Sequence, residues 1–192
     1  MTGKYDYVAD LLARPSQLLQ GTDQRGRTLD GEFQLADLKS SSQRVQDKAN
    51  ALGLSIMVKE LDQSTRTAEE AASACGCAVA QIVKSLVFRG QDSQTPILLL
   101  VSGQNRVNEK QAAEYAREKL ERPDAQYVRD ITGYAIGGIP PFAHATTLRT
   151  FIDADLLQFD IVWAAAGTPN SVFSVSPHEL SDRTGAQIVN MS

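Results

Sequence analysis

At 192 residues, with 42% hydrophobic and 22% charged side chains, the chain has the size and composition of one globular domain with a sizeable core. A formal net charge of -4 excludes the broad basic footprint of a protein that coats nucleic acid, and leaves room only for a small contact with one end of one. Two cysteines, both in Cys75-Gly76-Cys77, and two histidines, His144 and His178, are too few for a paired structural zinc site. No apolar stretch approaches the roughly 20 residues that span a bilayer, and no basic-then-apolar leader opens the chain. A cytoplasmic protein with no membrane partner is the expectation.

Residues 1–39 read as an N-terminal extension of unknown role, ahead of a domain over 40–192. Within it, Val8, Leu11, Leu12, Leu18 and Leu19 suggest a short helix broken near Pro15, and the segment from Gly21 is polar and turn-rich. From Ser40 the pattern becomes regular. Val45, Ala49 and Leu52 have helical spacing over 41–52, and Gly53 ends that helix. A strand is expected over 56–61. Thr67-Ala68-Glu69-Glu70 is a capping box, in which the Thr67 hydroxyl meets a free amide while Glu70 reaches back. The Ala-rich helix it opens should run to Gly76, with both cysteines as small packing residues.

Next comes Ile82-Val83-Lys84-Ser85-Leu86-Val87-Phe88, an apolar strand with a lysine in its middle. Alternation puts Lys84 on the same face as Ile82, Leu86 and Phe88. An ammonium there is costly unless it is paired, reaches water or faces a cavity. Lys84 is therefore either an edge-strand lysine or the centre of a working site.

Ile97 to Val101 reads as a strand buried on both faces. Asn108 to Gln111 opens a capped helix that should end before Pro123, with Lys110–Glu114 and Glu118–Arg122 as solvated intrahelical pairs. Strands are expected over 146–152, 159–166 and 171–175. Ser176-Pro177-His178-Glu179 starts a helix with proline at its first position and a capping-box glutamate, Gly185 ends it, and 186–191 closes the domain as a strand. Strands and helices mix without strict alternation. The expected class is α+β, a compact mixed sheet with flanking helices and no doubly wound Rossmann arrangement.

Two further segments could carry chemistry. Gly137-Gly138 beside Pro140-Pro141 either makes a tight turn or aims main-chain amides at a ligand oxygen, as an oxyanion hole does. His144 closes that segment and is placed to act as a base. Ala165-Ala166-Gly167-Thr168-Pro169-Asn170 is either a hairpin turn or a second set of hydrogen-bonding groups, through Asn170 and the Gly167 backbone. No P-loop, GxGxxG fingerprint or GxSxG elbow is present.

Taken in order, Thr65 to Glu70, Gln81 to Phe88 around Lys84, Gly133 to Pro141, and Ala165 to Asn170 closely resemble the motifs of the YbaK/ProX family of aminoacyl-tRNA deacylases. That family is related to the editing insertion domain of bacterial prolyl-tRNA synthetase, and the resemblance covers about Ser40 to the C-terminus. It implies a partly barrel-like version of the α+β fold and a trans-editing hydrolase. Its substrate would be the acceptor end of an aminoacyl-tRNA, typically a proline tRNA carrying a small wrong amino acid, with prolyl-tRNA synthetase as a potential partner. It implies catalytic roles for Lys84, Gly137 and Gly138. Substrate contacts are implied at Thr65, Thr67, Pro140, Gly167 and Asn170; His144, which closes the segment as a departure from relatives, is a further candidate substrate-binding residue. It also implies assistance from a hydroxyl of the terminal adenosine, with no metal and no cofactor. The loop departs from relatives in reading Gly-Gly-Ile-Pro-Pro, which bears on the amino acid removed more than on the reaction. A non-catalytic tRNA- or synthetase-binding adaptor of the same fold is the alternative, and a non-tRNA esterase a third.

Overall fold

The computed structural model describes residues 39–62 and 65–191, and the short helix read near Pro15 lies outside the described residues. Among them are five α-helices: α1 (Ser40–Leu52), α2 (Ala68–Cys75), α3 (Glu109–Ala116), α4 (Ala125–Thr132) and α5 (Pro177–Thr184). Eight strands form one mixed sheet: β1 (Lys59–Glu60), β2 (Ile82–Gly90), β3 (Pro96–Ser102), β4 (Leu120–Glu121), β5 (Arg149–Asp153), β6 (Val162–Ala165), β7 (Ser171–Val175) and β8 (Gln187–Val189). The order is β1-β7-β6-β2-β3-β5-β8, with β4 added to β2. The β2–β6, β3–β5 and β5–β8 pairs are parallel; the rest are antiparallel.

The continuous apolar run of β3 has a direct cause. Leu98 and Leu100 point into a core shared with α1, Tyr134, Phe142 and Leu180, while Ile97, Leu99 and Val101 point into a second core with Phe88, Ala112, Ala116 and Phe151. Alternate side chains thus enter different layers, and neither face can be polar.

Local signals place most helix ends. Gly53, Gly76, Gly133 and Gly185 each take the left-handed conformation at a helix C-terminus. The capping box of α2 forms as read, with the Glu70 N–H donating to Thr67 Oγ1 at 3.1 Å and Glu70 Oε2 accepting from the Thr67 N–H at 3.4 Å.

Several expectations need correction. The strand over 56–61 shrinks to Lys59–Glu60, because β7 offers partners only at Ser171 and Val172. The helix expected to approach Pro123 ends at Ala116, where Arg117 turns left-handed. Glu118 and Arg122 therefore share no helix. Glu118 instead accepts from the amides of Asp92 and Ser93, and Arg122 bonds Glu109 at 2.8 Å. An unforeseen helix, α4, follows, capped by Asp124 accepting from the Tyr127 N–H at 2.8 Å. Strands β5 and β6 begin later than read, at Arg149 and Val162, where pairing with β3 and β2 begins or β7 ends. In α5, Pro177 does occupy the first turn, but the Ser176 side chain makes no capping bond.

Candidate active site

The sheet is split beside Lys84. On the edge of β2 away from β3, β6 pairs only with Ile82 and Val83, and β4 only with Arg89 and Gly90. Among the described residues no strand pairs with 84–88 on that side, and a cavity of about 300 Å³ opens there. Its wall comes from four places: β2, the Thr65–Ala71 stretch leading into α2, the Ile136–Ile139 loop, and Trp163 to Ala165 of β6. Among the described residues most of the lining is apolar, with Lys84 and Arg66 as its cations and no carboxylate or imidazole.

Lys84 is half-buried, and its ammonium is docked on backbone. Nζ donates to the Gly103 carbonyl at 3.0 Å and to the Asn105 carbonyl. An ammonium has three protons to donate, so one remains for a ligand. The docking loop is itself clamped. The Asn105 side-chain amide donates to Asp153 Oδ2 at 2.9 Å and to Asp155 Oδ2 at 2.7 Å, and Asp153 also accepts from the Ser102 N–H at 3.1 Å. Asp153 is almost fully buried at the end of β5. A side chain at Gly103 would place its Cβ 2.1 Å from the Val79 carbonyl oxygen, so only glycine lets the loop pass there. Burial pushes the Lys84 pKa below its ordinary value, and Arg106 adds to this; the carboxylates of Glu69 and Asp153 pull it back up.

The glycine-proline loop and the Ala165–Asn170 turn are laced together. The Gly167 N–H donates to the Gly138 carbonyl at 2.9 Å, and the Gly138 N–H donates to Ala135 at 3.0 Å. These amides are spent on the fold and are not available to a ligand. Gly137 is different: it lines the cavity, has φ +91°, and its N–H has no partner among the described residues. The Ile136 and Ile139 amides beside it on the cavity wall likewise have no partner among the described residues.

The structure thus brings Lys84, Gly137, Thr65 and Thr67 to one cavity. Thr65 acts there mainly as a tie, since both its N–H and its hydroxyl donate to the Pro169 carbonyl at 2.7 Å. Thr67 is the cap of α2. Gly138, Pro140, Gly167 and Asn170 stand behind the wall; the Asn170 carbonyl accepts from the Leu61 N–H at 2.8 Å. His144 is also behind it. Its Nε2 lies 2.8 Å from the Pro140 carbonyl, and its ring borders a different hollow lined by α1, α5 and the Pro141–Thr150 segment. Burial lowers its pKa, partly offset by that carbonyl. It braces the loop and does not face Lys84.

Cys77 packs against Ala71, Ala72 and Ile82, as a small packing residue should, whereas Cys75 lines the cavity. Burial, with the neighbouring Cys77, pushes the Cys75 thiol up to about 11. Sequence reading missed the Asn105–Asp153 clamp, because nothing local links a turn residue to a carboxylate 48 positions away.

Comparison with known proteins agrees with this geometry. The chain is 34% identical over 125 residues to the uncharacterised protein YwhH of Bacillus subtilis (strain 168), covering 65% of this chain and 79% of that one. A crystal structure described as a candidate trans-editing enzyme for prolyl tRNA synthetase matches at 45% identity and a TM-score of 0.76, over 81% of this chain and 98% of the other. A scaffold from computational epitope grafting matches at 42% identity and a TM-score of 0.75, over the same shares. No described helix is long and apolar enough to cross a membrane. The aminoacyl-tRNA editing domain matches residues 62–182, across the cavity and all four motif segments, and the chain belongs to that family.

Proposed function

We propose that the protein is a trans-editing deacylase, which hydrolyses the ester between a small wrong amino acid and the 3′ end of a proline tRNA. The observation that carries this reading is the pairing, in one apolar cavity, of a docked ammonium with a free donor at Lys84 and an unpaired amide at Gly137. An ester is already activated. A water attacking its carbonyl carbon forms a tetrahedral oxyanion, and the two donors stabilise that charge before the ribose oxygen leaves with a proton. The site has already bonded Lys84 to two carbonyls, so little reorganisation is needed when charge develops.

Among the described residues, the cavity wall holds no carboxylate or imidazole to take the water's proton. That supports the assistance by the vicinal ribose hydroxyl which the family resemblance implies. Gly137, with no side chain, admits the ester closely, and the apolar lining limits the size of the acyl group.

The test is release of amino acid from proline tRNA charged with alanine, serine, threonine or cysteine, with Lys84→Ala alongside. Wild type should release at least one, and the variant should be slower by about a hundredfold or more. No release from any, even with prolyl-tRNA synthetase added, overturns the reading. Retained tRNA binding without release would favour the adaptor.

A further inference from the structure

The hollow behind the glycine-proline loop, about 320 Å³ in volume, differs in chemistry from the Lys84 cavity. Lys48 and Leu52, four residues apart on one face of α1, form one side of it. Arg183 and Thr184 at the end of α5 form a second side, and segment 141–150 closes it. The Arg183 guanidinium lies over the C-terminus of α1: a Cβ added at Gly53 would come 3.8 Å from its Cζ. Two cations on different helices thus border one space, on a chain whose formal net charge is -4. Among the described residues neither is in an ion pair, and no carboxylate lines the hollow.

The backbone on the third side suits an anion. Ala143 holds a left-handed φ of +68°, a strain that a turn with no other duty avoids by using glycine. Neighbours keep it there. The Tyr134 hydroxyl donates to the Ala143 carbonyl at 3.0 Å, and His144 Nε2 lies 2.8 Å from the Pro140 carbonyl. The Ala143 carbonyl is thereby taken up, while the successive N–H groups of Ala143 and His144 have no partner among the described residues. The Thr147 N–H has none either. Successive free amides beside a left-handed residue make the concave nest in which anions sit.

The geometry points to a phosphate-binding site in this hollow, separate from the Lys84 cavity and joined to it by the loop from Ile136 to His144. A phosphate matches the donor set. Arg183 offers a planar fork to two oxygens, Lys48 a point charge, and the amides of Ala143 and His144 serve a third oxygen. A carboxylate, with two oxygens and one charge, would leave part of that set unused. The site stands whether or not the Lys84 cavity deacylates.

Titration of the isotopically labelled full-length protein with sodium phosphate, against sodium chloride at equal ionic strength, tests it. Phosphate should bind saturably with a Kd of about 1 mM or tighter, and should shift the amides of Ala143, His144 and Thr147 more than that of Gly137. Chloride should leave them in place. Replacing both cations, Lys48→Gln with Arg183→Gln, should weaken binding by about tenfold or more. Thr147→Asp, which adds a carboxylate to the hollow and leaves both cations intact, should weaken it too. No saturable binding, shifts confined to residues of the Lys84 cavity, or an affinity unchanged in both variants overturns the inference. The wild-type shifts decide the matter even if the double variant fails to fold.

An unacylated acceptor-stem RNA, titrated in phosphate-free buffer, identifies the source of the phosphate. If it shifts the same amides and inorganic phosphate competes, the group held is a phosphate of the RNA backbone. If inorganic phosphate binds and the RNA leaves those amides unmoved, the site takes a free phosphorylated ligand. Both results support the site.

Discussion

Lys84 donates its ammonium to the backbone carbonyl of Asn105, and the side chain of Asn105 is in turn held by the carboxylates of Asp153 and Asp155. The Lys84 ammonium is thus positioned through a loop whose anchor lies in another strand. Asp153 acts at one remove, as a positioning residue.

Asp153→Asn tests that arrangement. The carboxylate of Asp153 raises the Lys84 pKa against the lowering effect of burial. If the charged lysine carries the reaction, activity falls as pH rises through that lowered pKa. Removing the carboxylate lowers it further, so the alkaline limb of kcat should move to lower pH. The bonds to Ser102 and Asn105 also weaken, at a cost of about 1–3 kcal/mol in chemical denaturation. A stability loss with an unmoved pH profile would confine Asp153 to a structural role.

The contact between the two loops predicts a contrast between adjacent glycines. At Gly138 an added Cβ would lie 2.9 Å from the Thr168 backbone, which cannot move aside as a flexible side chain can. Gly138→Ala should cost about 1–3 kcal/mol by overpacking, and should slow deacylation by pushing the Gly137 amide out of place. At Gly137 nothing lies within 4 Å, so Gly137→Ala meets only the strain of φ +91°, about 1–2 kcal/mol. Urea denaturation of the pair, with kcat measured in parallel, checks this. Equal activity of Gly138→Ala and wild type would remove the loop contact from the account.

His144 predicts acid sensitivity. Burial holds its pKa below the ordinary 6.5. As pH falls through about 6.5 the unfolded chain takes up a proton that the folded chain refuses. Stability is therefore full above that pH and is lost progressively below it, down to the folded pKa. His144→Gln, which keeps a donor for the Pro140 carbonyl, should flatten the loss of stability as pH falls below about 6.5. An unchanged slope would assign the acid sensitivity to other groups.

Cys75 makes a prediction about reactivity. With its thiol pushed up to about 11 it is protonated near neutral pH, and only the thiolate alkylates readily. Iodoacetamide should modify it more slowly than free cysteine at pH 7.5, and the rate should climb only towards the raised pKa. Because Cys75 lines the cavity, its modification should block deacylation in step. Rapid labelling at neutral pH would contradict the buried thiol.

The parts of the fold that follow from a few adjacent residues were legible. The α2 capping box, the glycine stops at Gly53, Gly76 and Gly185, and the two-faced burial of β3 each arise from side chains within one turn or one strand of each other. The ends of β1, β5 and β6 were not, because a strand lasts as long as its partner, and the partner lies elsewhere in the chain. The same holds for α3. Helical spacing continues beyond Ala116, but Glu118 is drawn to the turn at Asp92 and Ser93.

For the site, the sequence by itself determined that a lysine sits inside an apolar strand and that a glycine-proline loop and a second turn accompany it. That much is composition and order. Only the tertiary structure decided which groups face a ligand. Gly138, Gly167 and Gly137 look alike as residues, yet the first two amides are consumed by Ala135 and Gly138 and the third is left free. Hydrogen bonding is a competition among all groups brought within about 3 Å, and that proximity is set by the packing of segments distant in the chain. The same packing turned His144 away from Lys84 and onto the Pro140 carbonyl.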